Sequence, residues 1–136
     1  MTVTGSSRCR AGLPAVAQGR TYQVQLTQQG TKLQMKISSP TLGPVLNAQS
    51  HTGSILGASV RLSIAGDTSY GEWSTPDFYD HLSPTERFGF SGIATGSVRN
   101  AEIRTAMYGD LVYWNAPTFE PTWYCRSTEH VVTLER

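Results

Sequence analysis

The chain has 136 residues, 38% of them hydrophobic and 15% charged, with a formal net charge of +1. That is the size of one domain with room for a real core, and no apolar run approaches the ~20 residues of a membrane-spanning helix. The 13 glycines and low charge argue against a helical bundle and suit an all-β chain of short strands and tight turns.

Residues 1–66 hold Arg8, Arg10, Arg20, Lys32, Lys36 and Arg61 and no acid, and all acidic residues fall between Asp67 and Glu135. Either early strands lie beside late ones and pair these charges, or the first half presents a basic surface to an anionic partner.

Taken in order, Met1 to Ser7 is small and polar and reads as a short first strand; no signal-peptide pattern is visible there. Arg8 to Gly19 reads as an irregular connection. Thr21 to Ser38 carries the clearest signal. Tyr22, Val24 and Leu26 alternate with polar residues, as do Leu33, Met35 and Ile37, which is the period of a half-buried strand. A turn at Gln29-Gly30 would set Leu26 opposite Leu33, Val24 opposite Met35 and Tyr22 opposite Ile37. Pro40, Gly43 and Pro44 break the next stretch into a loop. Gly53 to Ala65 resumes the alternation, with Val60, Leu62 and Ile64 on one side.

Thr68 to Arg87 reads as an insertion. Thr75-Pro76 has the form of a helix N-cap followed by proline, and Ser83 to Glu86 has the spacing of a capping box, so one or two helical turns are expected there. Phe88 to Thr95 and Ala101 to Met107 read as strands, with a turn at Gly109-Asp110 leading into Leu111 to Trp114. Trp123 to Cys125 and His130 to Leu134 supply closing strands. Gly53 to Arg61 and Gly92 to Arg99 form a weak repeat, each read as strand, glycine turn and returning strand.

Cys9 and Cys125 lack the close spacing of a zinc or redox motif. The expectation is a disulfide tying the N-terminal arm to the last strands, and with it an oxidising, extracellular or periplasmic location.

Two patterns carry a resemblance. Tyr22-x-Val-x-Leu-Thr-Gln-x-Gly30-x-x-Leu33, followed by Gly53-x-Ile-x-Gly57-x-x-Val60-x-Leu-x-Ile64 and by Gly92 to Ile103, resembles bacterial exported β-barrel domains that are broadly lipocalin-like. The resemblance implies a barrel and export, and supplies no catalytic residue.

Sites of chemistry are sparse. Gly89-Phe-Ser91-Gly92 lacks the spacing of a nucleophile elbow, and no phosphate-binding glycine loop is present. Asp77, Asp80 and His81 have one-turn helical spacing for a metal but also suit an exposed turn. With Glu86 they are the candidates for a hydrolase. Arg8-Cys9-Arg10 is a short basic run and no basic stripe with interleaved aromatics is present, so a nucleic-acid partner has little support. The aromatics remain: Tyr70, Trp73, Phe78 and Tyr79 in the insertion, then Tyr113, Trp114 and Trp123 near the end. They are expected either to plug a barrel end or to wall a pocket at its mouth.

The sequence therefore predicts one all-β domain over 1–136, an antiparallel barrel or related sandwich of about eight strands. It predicts non-catalytic binding of a small apolar molecule or glycan at the mouth covered by 68–87, with no cofactor or metal. The alternative is an accessory or assembly module that meets a protein partner through its outer face or an edge strand.

Overall fold

The computed structural model describes residues 1–43, 50–64, 79–115 and 122–136. Its strands are β1 (Thr2–Thr4), β2 (Gly19–Thr21), β3 (Gln23–Gln29), β4 (Lys32–Ser38), β5 (Ser50–Leu56), β6 (Ser59–Ile64), β7 (Asp80–His81), β8 (Glu86–Arg99), β9 (Glu102–Asn115) and β10 (Trp123–Leu134). Nine of them follow one path, β2-β1-β10-β9-β8-β6-β5-β4-β3, and β7 pairs with β8 beside it. Every pairing is antiparallel. The sheet curls into a nearly closed barrel.

Closure comes from the chain ends. β1 pairs with β10, Thr2 opposite Thr133, and with β2 on its other side. The β1–β2 ladder gains one more pair at Tyr22: Met1 N donates to Tyr22 O and Tyr22 N to Met1 O, each at 2.8 Å. Cys9 and Cys125 form the expected disulfide, with Cα atoms 5.7 Å apart. The segment expected to be irregular contains two single-turn helices, α1 (Ser7–Arg10) and α2 (Ala15–Gln18). Gln18 Nε2 donates to Arg10 O at 2.7 Å and to Leu13 O at 2.8 Å, which ties the two turns together by satisfying carbonyls a short helix leaves open.

The core lies inside the barrel. β4 alternates strictly, with Leu33, Met35 and Ile37 buried and its other residues exposed. Val60, Leu62 and Ile64 of β6 join it, with Phe88, Phe90 and Ala94 of β8 and Ile103, Met107 and Leu111 of β9.

The structure corrects the hairpin register. Leu26 faces Met35, Val24 faces Ile37, and Gln28 rather than Leu26 faces Leu33. The turn is Gly30-Thr31, and Gly30 stands at its first central position with φ of +60°, where a type II′ turn requires glycine. A shift of two residues leaves each side chain on its predicted face. Tyr22 falls outside the hairpin, held by Met1.

β8 and β9 are also longer than the sequence suggests. Gly109-Asp110 is no turn; β9 runs through it, and Gly109 lies directly opposite Gly92. A Cβ on Gly109 would fall inside contact distance of Ser91 O and 2.7 Å from Gly92 Cα. These glycines permit a close crossing of two strands. The second copy of the weak repeat is likewise unbroken strand, with Gly96 opposite Thr105. The real turn is Asn100-Ala101, whose φ values are 51° and 63°. The two predicted closing strands are one strand, β10, with a register shift between Ser127 and His130.

Of the predicted helical turns in 68–87, the one at Thr75-Pro76 lies outside the described residues. The other is not helical. Ser83 Oγ accepts from Glu86 N at 3.1 Å, but this bond closes the turn from β7 into β8.

Candidate functional site

At the β2–β3 corner, Asp80 is fully buried. It accepts from Tyr22 Oη at 2.8 Å and from Arg20 Nε at 2.9 Å. Burial, then the neighbouring Asp80 charge, pushes the Tyr22 hydroxyl far above its ordinary range. Arg20 and Asp80 form an ion pair between the basic first half and the acidic second half. Tyr113 Oη donates to Glu86 Oε1 at 2.6 Å, which, with Ser83, holds the Glu86 carboxyl below its usual value. Asp80 and Glu86, both hydrolase candidates, thus hold structural tyrosines. Asp77 lies outside the described residues. Among those residues no three His, Cys, Asp or Glu side chains form a metal-binding group.

The predicted aromatic site residues divide between the two sides of the sheet. Tyr70, Trp73 and Phe78 lie outside the described residues. Tyr79, Val112 and Trp114 form a small buried cluster, with the Tyr79 and Trp114 rings edge-on at 5.8 Å and the Arg87 guanidinium 5.9 Å from the Trp114 ring centroid. Tyr113, one residue from Trp114, belongs instead to the main core. This is the alternation expected of adjacent strand residues. Trp123, opposite Tyr113, meets its ring at 5.2 Å with the planes tilted by 46°, and is 37% exposed. Inside the barrel at this end Tyr22, Phe88, Phe90, Leu111 and Tyr113 are all buried in one cluster, with the Tyr22 and Phe90 rings 5.2 Å apart.

The large opening is elsewhere. A cavity of about 820 Å³ lies beside β3, lined by Val24 and Leu26 of β3, Leu33 of β4, Ile55 of β5, Val98 of β8, Ile103 of β9 and Leu134 of β10. Met1, Tyr22, Gln23, Gln28, Glu135 and Arg136 supply the polar and terminal parts of its wall. Of the predicted ligand-binding residues that are described, Tyr79, Tyr113, Trp114 and Trp123, none lines it. Val24 is half-buried and Leu26 is 36% exposed, although both point inward, because β3 ends the sheet path and no strand lies over them among the described residues. The alternation in 22–33 identifies this inward set from sequence. Nothing in the pattern says that its strand is an edge.

His51 and His130 are buried and lie opposite the inward residues Met35 and Met107. Burial lowers the His51 pKa to about 4. It lowers that of His130 as well, whose Nδ1 accepts from Ser6 N at 3.1 Å. Both are neutral packing elements at pH 7.

No family model, curated protein or solved structure matches this chain.

Proposed function

We propose that the protein is a non-catalytic binding module whose site is the aliphatic cavity beside β3, and that its ligand is a small apolar molecule. One observation carries the reading. An opening of about 820 Å³ is within the usual range for small-molecule sites, roughly 300–1,000 Å³, and an apolar wall with a few polar groups at its margin is their usual composition. The wall is aliphatic, which favours an alkyl or terpenoid body over a sugar ring. The aromatic residues expected to suit a glycan lie at the other end, where all but Trp123 are buried, or lie outside the described residues. The disulfide supports an exported protein, extracellular or periplasmic; no helix among the described residues is long and apolar enough to cross a membrane.

Titration with 1-anilinonaphthalene-8-sulfonate, followed by displacement with dodecanoate, tests the site. Saturable enhancement that dodecanoate reverses is expected, and Leu26→Trp, which sets a bulkier ring into the cavity, should weaken it several-fold without lowering the melting temperature. Enhancement unchanged in Leu26→Trp would place the probe elsewhere and overturn the reading.

A further inference from the structure

The cavity opens beside β3, where no strand among the described residues covers the outer edge of the sheet. The loop Gly30-Thr31 makes Gln29 and Lys32 a hydrogen-bonded pair, and such pairs alternate along an antiparallel ladder. Gln23, Gln25 and Thr27 therefore turn their main-chain groups toward β4. Val24, Leu26 and Gln28 turn theirs away, where no described residue meets them. The same outward series begins at Tyr22, whose N and O are the groups bonded to Met1. Extended past Met1, the line of β1 runs into the cavity along a lane that no described residue occupies. β3 flanks it on one side, and Leu134, Glu135 and Arg136 line the other side of the same cavity.

Exposed edges in soluble proteins are blunted by charges, prolines, bulges or shortness. β3 has none of these. It is Gln-Val-Gln-Leu-Thr-Gln-Gln, seven residues with neither charge nor proline, in unbroken register with β4. Its inward side chains border an apolar cavity. An edge of this kind is built to be paired.

We infer that the lane accepts an extended peptide segment of a partner protein as an added strand, running in the direction of β1 and antiparallel to β3. The segment covers up to the seven residues of β3. Its residues opposite Val24, Leu26 and Gln28 are apolar and enter the cavity, and those between are polar and face water. Main-chain bonds supply general affinity and the alternate side chains supply selectivity. The inference shares with the proposed function only the site: it keeps the cavity beside β3 and adds a polypeptide as a second class of ligand there. A second copy pairing β3 with β3 would take the same lane and would show itself as a dimer.

The probe is acetyl-Lys-Val-Thr-Val-Thr-Val-Thr-amide at up to about 1 mM, read by amide hydrogen exchange on the full chain. A second probe is the same heptapeptide joined ahead of Met1, where the register sets the three valines opposite Gln28, Leu26 and Val24. Exchange at Val24, Leu26 and Gln28 should slow by at least ~10-fold with either probe, and stay unchanged at Gln25 and Thr27, which already bond to β4. A peptide N-methylated at its last two valines keeps the side chains and should give no protection. No protection with either probe overturns the inference, as does equal binding of the N-methylated peptide. Protection with the joined segment alone overturns a partner in trans. Dimers of the free protein with these amides already slow would identify a second copy instead. Dodecanoate binding without peptide protection leaves the cavity reading standing and this one refuted; peptide protection without dodecanoate binding does the reverse.

Discussion

Replacing both cysteines, Cys9→Ala with Cys125→Ala, should cost about 4–6 kcal/mol of stability while leaving the native barrel in place. The bond closes a loop of 116 residues in sequence separation, and the chain-entropy relation gives about 5 kcal/mol for a loop of that size at 25 °C. The void left by two sulfurs adds about 1 kcal/mol, since Cys9 is 2% exposed within the core. The native arm keeps its other ties: Arg8 Nη2 to Arg126 O at 2.9 Å, Ser6 N to His130 Nδ1 at 3.1 Å, and the β1–β10 ladder. The loss therefore falls chiefly on the unfolded state, which becomes freer. Urea unfolding followed by tryptophan fluorescence measures both quantities that matter. The midpoint should fall and the denaturant slope should rise, because the unlinked chain exposes more surface. Amide exchange at Val3 in the native variant should remain slow. A loss under about 1 kcal/mol would refute the entropic account. So would an unchanged slope with rapid exchange at Val3, which would locate the loss in a detached arm.

Met35→Ala should cost about 2–5 kcal/mol as a buried side chain, while Val24→Ala, at the cavity edge, should cost clearly less; equal urea midpoints would contradict the open seam. Gly109→Ala should destabilise by at least ~1–3 kcal/mol, because its methyl meets the backbone of β8 at Ser91 and Gly92; a wild-type melting curve would deny the close crossing. Ala101→Gly should stabilise by up to about 1 kcal/mol, since an L residue is held at φ of 63°; a lower melting temperature would count against that turn. Stability should fall as pH drops from about 6.5 to about 4. His51 has its folded pKa depressed to about 4, so the unfolded chain binds the extra proton in that window and folding loses up to about 3 kcal/mol. His51→Gln should flatten the slope, and an equally steep profile in that variant would refute the assignment.

The alternation in 22–37 was legible because side-chain facing depends only on period two. The register was not, because a shift of two residues changes partners without changing faces. Glycine misled in two places for one reason. Gly96 and Gly109 read as turns, yet they sit inside 14-residue strands where backbones pass too closely for a side chain. The turn itself fell on Asn100-Ala101, which has no glycine to announce it. Helices of four residues at Ser7–Arg10 and Ala15–Gln18 are too short to show a helical period. Opposite facing of Tyr113 and Trp114 followed from strand geometry, and the disulfide from cysteine spacing and number. The position of the cavity was hidden because it depends on which strand lies last in the sheet, and that order is a tertiary fact.

The pairing of β1 with β10 sets an order on the closing of the barrel. Thr2 and its neighbour Thr133 lie far apart in sequence, whereas the strands between are mostly partners of their sequence neighbours and can zip up locally. Bringing β1 to β10 closes the longest loop of any pairing among the described strands, and long-range pairing carries the largest entropic cost before it is rewarded. The barrel wall therefore stands before its keystone is set.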